Sequence, residues 1–91
     1  MSIPPINAVW IRIKNLSGQQ FLTKSGKPFT YSVSGDVLNP SRTDYNLSKS
    51  DFEKALALAP LDGPGAINQI VRGPAYIWAV LHDPRVRGAD W

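Results

Sequence analysis

The sequence predicts an α+β domain: three or four antiparallel strands in a meander over residues 8–47, then two or three short helices packed on one face of the sheet. Three observations carry this. Apolar and polar side chains alternate through the first half. A serine-capped start with an i, i+3, i+4, i+7 apolar stripe opens the second half. The connections between segments are short and rich in glycine, proline and serine. A chain of 91 residues makes one domain with one core, because at this size only roughly 60–65% of the unfolded surface is buried. Residues 1–7 read as an extended lead, 8–87 as the domain and 88–91 as a tail.

The elements follow in order. Pro4 and Pro5 lack amide donors and disfavour helix in the residues before them, which predicts the extended lead. Residues 8–14 alternate, with Val9, Ile11 and Ile13 on one face and Trp10, Arg12 and Lys14 on the other, the pattern of a half-buried strand with Trp10 on its wetter side. A turn at 15–18 leads to a second strand at 19–23 carrying Phe21. Lys24-Ser25-Gly26-Lys27-Pro28 reads as a hairpin tip, and Phe29, Tyr31 and Val33 alternate with Thr30, Ser32 and Ser34 in the clearest strand of the chain. Ser34-Gly35-Asp36 is a further turn, Val37-Leu38-Asn39 a further extended piece, and a short strand is expected near 45–47.

In the second half, Ser48 or Ser50 caps a helix. With Ser48 as cap, Leu47 and Phe52 stand at the two positions of a hydrophobic staple; with Ser50, Glu53 completes a capping box. Phe52, Ala55, Leu56 and Ala59 form its apolar stripe, and Pro60 stops it. Leu61-Asp62-Gly63-Pro64-Gly65 turns the chain into a short helix at 66–72 ended by Gly73. Pro74 opens the last helix at 75–83, whose Tyr76, Ile77, Trp78, Val80 and Leu81 make the densest apolar run in the sequence. A helix apolar on nearly every face belongs in a core. After Pro84, residues 85–91 read as an exposed tail.

Composition narrows the function. The 43% hydrophobic and 19% charged residues describe a globular chain rather than a disordered one. No apolar run is long enough to span a bilayer, and the opening residues show no basic segment followed by an apolar one, so neither a membrane partner nor a secretory signal is expected. The absence of cysteine excludes disulfides, a thiolate nucleophile and Cys-ligated zinc, and suits a reducing cytoplasm. His82 is the only histidine, and near the C-terminal end of an apolar helix it reads as a structural residue favoured by the helix dipole. Asp51 and Glu53 are explained by capping and diverge around their helix. No serine lies in a nucleophile elbow, and the glycine-rich turn at 61–65 lacks the Lys-Ser/Thr that closes a phosphate loop. No catalytic residue, cofactor or metal ligand is therefore expected.

What remains is binding. A net charge of +3 is consistent with a module that contacts nucleic-acid backbone through basic strand and hairpin residues: Arg12, Lys14, Lys24, Lys27, Arg42, Arg85 and Arg87. A helix-turn-helix docking is excluded, because the second helix offers apolar side chains where base readout needs polar ones. The alternative is a protein-interaction or self-associating module, a homodimer for example, with Trp10 and Trp91 as interface anchors. Tyr45 and Trp78 are amphipathic groups of the same kind, although Trp78 reads as core. A pocket for an unspecified small ligand between sheet and helices is the third option.

Overall fold

A computed structural model describes residues 3–44 and 46–91. It contains two antiparallel sheets, of two and three strands, and four short helices, an α+β architecture that includes the three-stranded meander. Among the described residues no helix is long and apolar enough to cross a membrane.

The chain enters a helix where a strand was expected. Helix α1 spans Ile6–Asn15 behind Pro5, whose carbonyl accepts the N–H groups of Ala8 (3.0 Å) and Val9 (3.2 Å). The segment satisfies both periodicities. As a strand it would bury Ile11 and expose Trp10; as a helix it aligns Ile6, Val9, Trp10 and Ile13 on one stripe. Burying the indole removes more apolar surface from water than burying an isoleucine, and the helix is the conformer found. Trp10 is 3% exposed and Ile11 60%. The indole N–H of Trp10 donates to the Gly35 carbonyl at 2.9 Å, and its ring meets Phe52 edge-on at 5.2 Å.

Strands β1 (Phe21–Leu22) and β2 (Pro28–Phe29) form a short hairpin pairing Phe21 with Phe29. Its tip closes through Thr23 and Gly26, the latter at φ 89°, a left-handed backbone that favours glycine. The expected strand at 29–33 is divided at Thr30. Phe29 pairs back to β1, whereas β3 (Tyr31–Ser34) pairs with β4 (Val37–Pro40), and β4 with β5 (Leu47–Ser48). The expected strand near 45–47 is met in part by β5; Tyr45 itself lies outside the described residues.

Ser48 ends β5 and caps α2 (Lys49–Leu56), its hydroxyl accepting the Asp51 N–H at 3.2 Å. Leu47 and Phe52, the staple positions, are both fully buried. The expected helix at 66–72 is a correction. The chain makes one 3-10 turn, Pro64–Ile67, and then irregular turns up to Gly73, the short segment between Gly65 and Gly73 having no capping side chain at its start. Gly73, at φ 63°, stands as the N-cap residue of α3 (Pro74–Leu81). Helix α3 contacts α2, the 3-10 turn, β1 and the last helix, and so sits at the centre of the core.

The expected exposed tail at 85–91 is the other correction. Asp83 caps α4 (Pro84–Arg87) by accepting the Arg85 N–H at 2.9 Å. Val86 is fully buried and Trp91 is 8% exposed, its indole N–H donating to the Leu81 carbonyl at 2.8 Å. A large apolar ring near the chain end has more to gain by closing the core than by standing in water.

Candidate functional site

Six of the seven basic residues singled out from the sequence separate into two groups, and Lys14 stands apart from both. Arg12, Arg85 and Arg87 are occupied at the end of the molecule where α1 meets α4. The Arg12 guanidinium donates to the Val86 carbonyl at 2.8 Å and pairs with Asp90 at 2.7 Å. Arg85 binds both oxygens of Asp83 and donates to the Gln20 carbonyl at 2.8 Å, with its plane 4.3 Å over the Phe21 ring. Arg87 donates to the Trp91 carbonyl. The hydrogen bonds that its guanidinium donates to the Asp83 carboxylate raise the pKa of Arg85. Burial pushes the Asp83 carboxyl upward, but the side-chain and backbone hydrogen bonds from Arg85 outweigh it and hold Asp83 below its usual value.

The second group lies at the β1–β2 hairpin. Lys24 and Lys27 belong to its tip, and Arg42 is brought to it from the loop after β4, Nη1 donating to the Pro28 carbonyl at 3.4 Å. Ser41 joins this contact: its N–H donates to the Thr30 carbonyl at 2.8 Å and its hydroxyl accepts the Thr30 N–H at 3.0 Å. All three cations are exposed. The ion pairs among the described residues, Arg12–Asp90, Lys49–Asp36, Lys54–Asp51 and Arg85–Asp83, use none of them. Lys24 also donates to the Asp62 carbonyl at 2.6 Å. Lys14 is exposed in the last turn of α1 and is likewise absent from these ion pairs. It sits on a helix, not on the strand face expected to carry it beside Trp10 and Arg12.

The interface anchors expected at Trp10 and Trp91 are turned inward, as described above. Tyr31, invisible as a site in the sequence, is another internal fastening. Its hydroxyl donates to the Ile13 carbonyl at 2.7 Å, and burial raises its pKa.

A cleft of about 500 Å³ opens elsewhere, between the starts of α1 and α2. It is lined by Ile6, Asn7, Asp36, Ser48, Lys49, Ser50 and Glu53, and by none of the seven basic candidates. Lys49 spans it, donating to Asn7 Oδ1 at 2.6 Å and lying 3.8 Å from Asp36. Nothing in the sequence spacing could bring residues 7, 36 and 49 together; the β3–β4 turn does so. Asp51 lies just outside, with its carboxylate accepting the Arg72 N–H at 3.1 Å, a structural role that agrees with its place at a helix start.

His82 makes structural contacts. Nε2 accepts the Leu61 N–H at 2.9 Å, the ring stacks on Trp78, and burial lowers its pKa. Among the described residues no three His, Cys, Asp or Glu side chains gather as a metal site. The chain matches no family model, no curated protein and no solved structure.

Proposed function

We propose that this protein is a small non-enzymatic binding module that contacts nucleic-acid backbone through the β1–β2 hairpin and the loop laid against it. The observation that carries the reading is the Arg42–Pro28 contact, which sets a guanidinium beside the turn bearing Lys24 and Lys27. Three exposed cations, two on the hairpin turn and one on the adjoining loop, can neutralise neighbouring phosphates, and the hydroxyls of Ser25 and Ser41 on the same segments are of the type that bonds phosphate oxygens. Arg12 and Arg85 are left out of the contact surface because carboxylates, Asp90 and Asp83, already hold them, and Arg87 because it is engaged beside them by Trp91. A cysteine-free module of this kind fits a reducing cytoplasm.

The experiment is a mobility-shift series over salt concentration with mixed-sequence DNA and RNA. Binding is expected to weaken steeply with salt. In Lys24→Gln/Lys27→Gln/Arg42→Gln the slope against log salt should fall by about two to three units, near one per lost contact. No complex at low salt would overturn the proposal. The rival reading, self-association, must now use exposed apolar side chains such as Ile11 or Leu22, 60% and 56% accessible, in place of the two buried tryptophans. A sedimentation coefficient independent of concentration removes it.

A further inference from the structure

Residues 57–63, between α2 and the 3-10 turn, pack on the core through Ala59 and Leu61 and are tied by hydrogen bonds at Leu61 to α3 and its C-cap residue, His82. Both backbone groups of Leu61 are gripped there: its N–H donates to His82 Nε2 at 2.9 Å, and its carbonyl accepts the indole N–H of Trp78 at 3.0 Å. An accepting Nε2 requires the neutral ring with its proton on Nδ1, and that N–H faces the Trp78 carbonyl at 3.2 Å. The two rings, one helical turn apart, stack with centroids at 5.0 Å and planes 9° apart. The next residue extends the fastening to the hairpin: the Asp62 carbonyl receives Lys24 Nζ, which also stands 5.8 Å from the Trp78 ring centroid.

We propose that His82 is a proton-operated latch: a proton added at Nε2 replaces the acceptor of the Leu61 N–H with a second donor, and residues 57–63 come away from α3 together with their contact to Lys24. Several charged groups surround this ring. The hairpin contributes Lys24 and the loop contributes Asp62, which is exposed. Beyond the helix lie Asp83, engaged by Arg85, and Arg87. Burial is the main influence holding the His82 pKa below 6.5; the Trp78 carbonyl opposes it and Arg87 reinforces it. The latch is therefore shut at neutral pH and opens on acidification below the ordinary histidine range. It operates whether or not the hairpin meets nucleic acid.

The test is an NMR titration of the whole chain from about pH 8 to about pH 4.5, beside His82→Gln, a neutral side chain with an accepting oxygen. Because His82 is the only histidine, its ring resonances report one site. The Leu61 amide and the Trp78 indole N–H should shift with the ring's midpoint, below 6.5. The exchange protection of Leu61 should fall about tenfold or more as the ring charges, and the variant should hold it constant. A Leu61 amide that stays protected while the ring titrates would overturn the latch, as would equal acid loosening in His82→Gln. Should that variant fail to fold, the ring nitrogens of the unmodified protein decide: a proton on Nδ1 at neutral pH supports the latch, and one on Nε2 rules it out.

Discussion

The two basic regions of this protein differ in what their charges touch. Where α1 meets α4, the guanidinium of each arginine reaches a backbone carbonyl: Arg12 that of Val86, Arg85 that of Gln20 and Arg87 that of Trp91. Two of them also hold carboxylates, Asp90 and Asp83. At the β1–β2 hairpin, Lys24 and Arg42 reach carbonyls as well, those of Asp62 and Pro28, but they and Lys27 take no part in the ion pairs of the described residues. The first region uses charge to close the fold; the second holds it in solvent, where a ligand can meet it. Five donors on a planar fork let one arginine join an acid and a carbonyl at once, whereas an exposed cation with no carboxylate partner keeps its charge uncompensated. A net charge of +3 therefore overstates the surface available to phosphate.

The comparison breaks most visibly if the closed end proves dispensable. Trp91→Ala should destabilise the protein by about 3–5 kcal/mol, the range for deleting a buried aromatic ring. Denaturant unfolding measures this, and an unchanged midpoint would return residues 88–91 to the status of a tail. Arg12→Ala should cost about 1 kcal/mol, since its partners are part-exposed and solvent screens the ion pair. Its effect should shrink when Asp90→Ala is already present, which a double-mutant cycle reads.

Acidification should act on the closed side too. His82 has a folded pKa lowered below 6.5, so the unfolded chain binds the proton first as pH falls. Its contribution to stability is complete above 6.5 and declines below it, levelling off once pH passes the folded value. Asp83 follows the same sign at lower pH, because its carboxyl is held below 3.8 in the fold. Thermal melts between pH 7.5 and about 4.5 should show the histidine step in the native sequence and lose it in His82→Gln. The smallest effect belongs to the open side. Lys27→Gln should change stability by no more than about 0.5 kcal/mol, as expected of a surface position. A large loss there would mean that the hairpin lysines are structural after all.

Much of the second half was legible because its signals are local. Leu47, Ser48, Asp51 and Phe52 lie within six consecutive positions and state a helix start by themselves. Pro74 after Gly73, followed by five large apolar residues in eight, likewise states a buried helix. In the first half, Gly35 and Asp36 marked the turn that joins β3 to β4. The α1 segment shows where such reading fails. Val9, Ile11 and Ile13 alternate, but Ile6, Val9, Trp10 and Ile13 also fall at helical spacing, and the choice rests on which set finds the larger partner. Phe52 and the Gly35 carbonyl, which receive Trp10, are distant in sequence.

The sequence by itself determined the α+β class, a serine-capped helix start at Ser48 or Ser50, the hairpin turns and the inward face of α3, because neighbours within a few positions settle each of these. Only the tertiary structure decided that residues 6–15 coil, that Trp10 and Trp91 face inward, and that Arg12 fastens while Lys27 does not. The reason is the span of the bonds involved. Arg12 meets Val86 across 74 positions and Arg85 meets Gln20 across 65, and contacts of that length leave no periodic trace in a single chain.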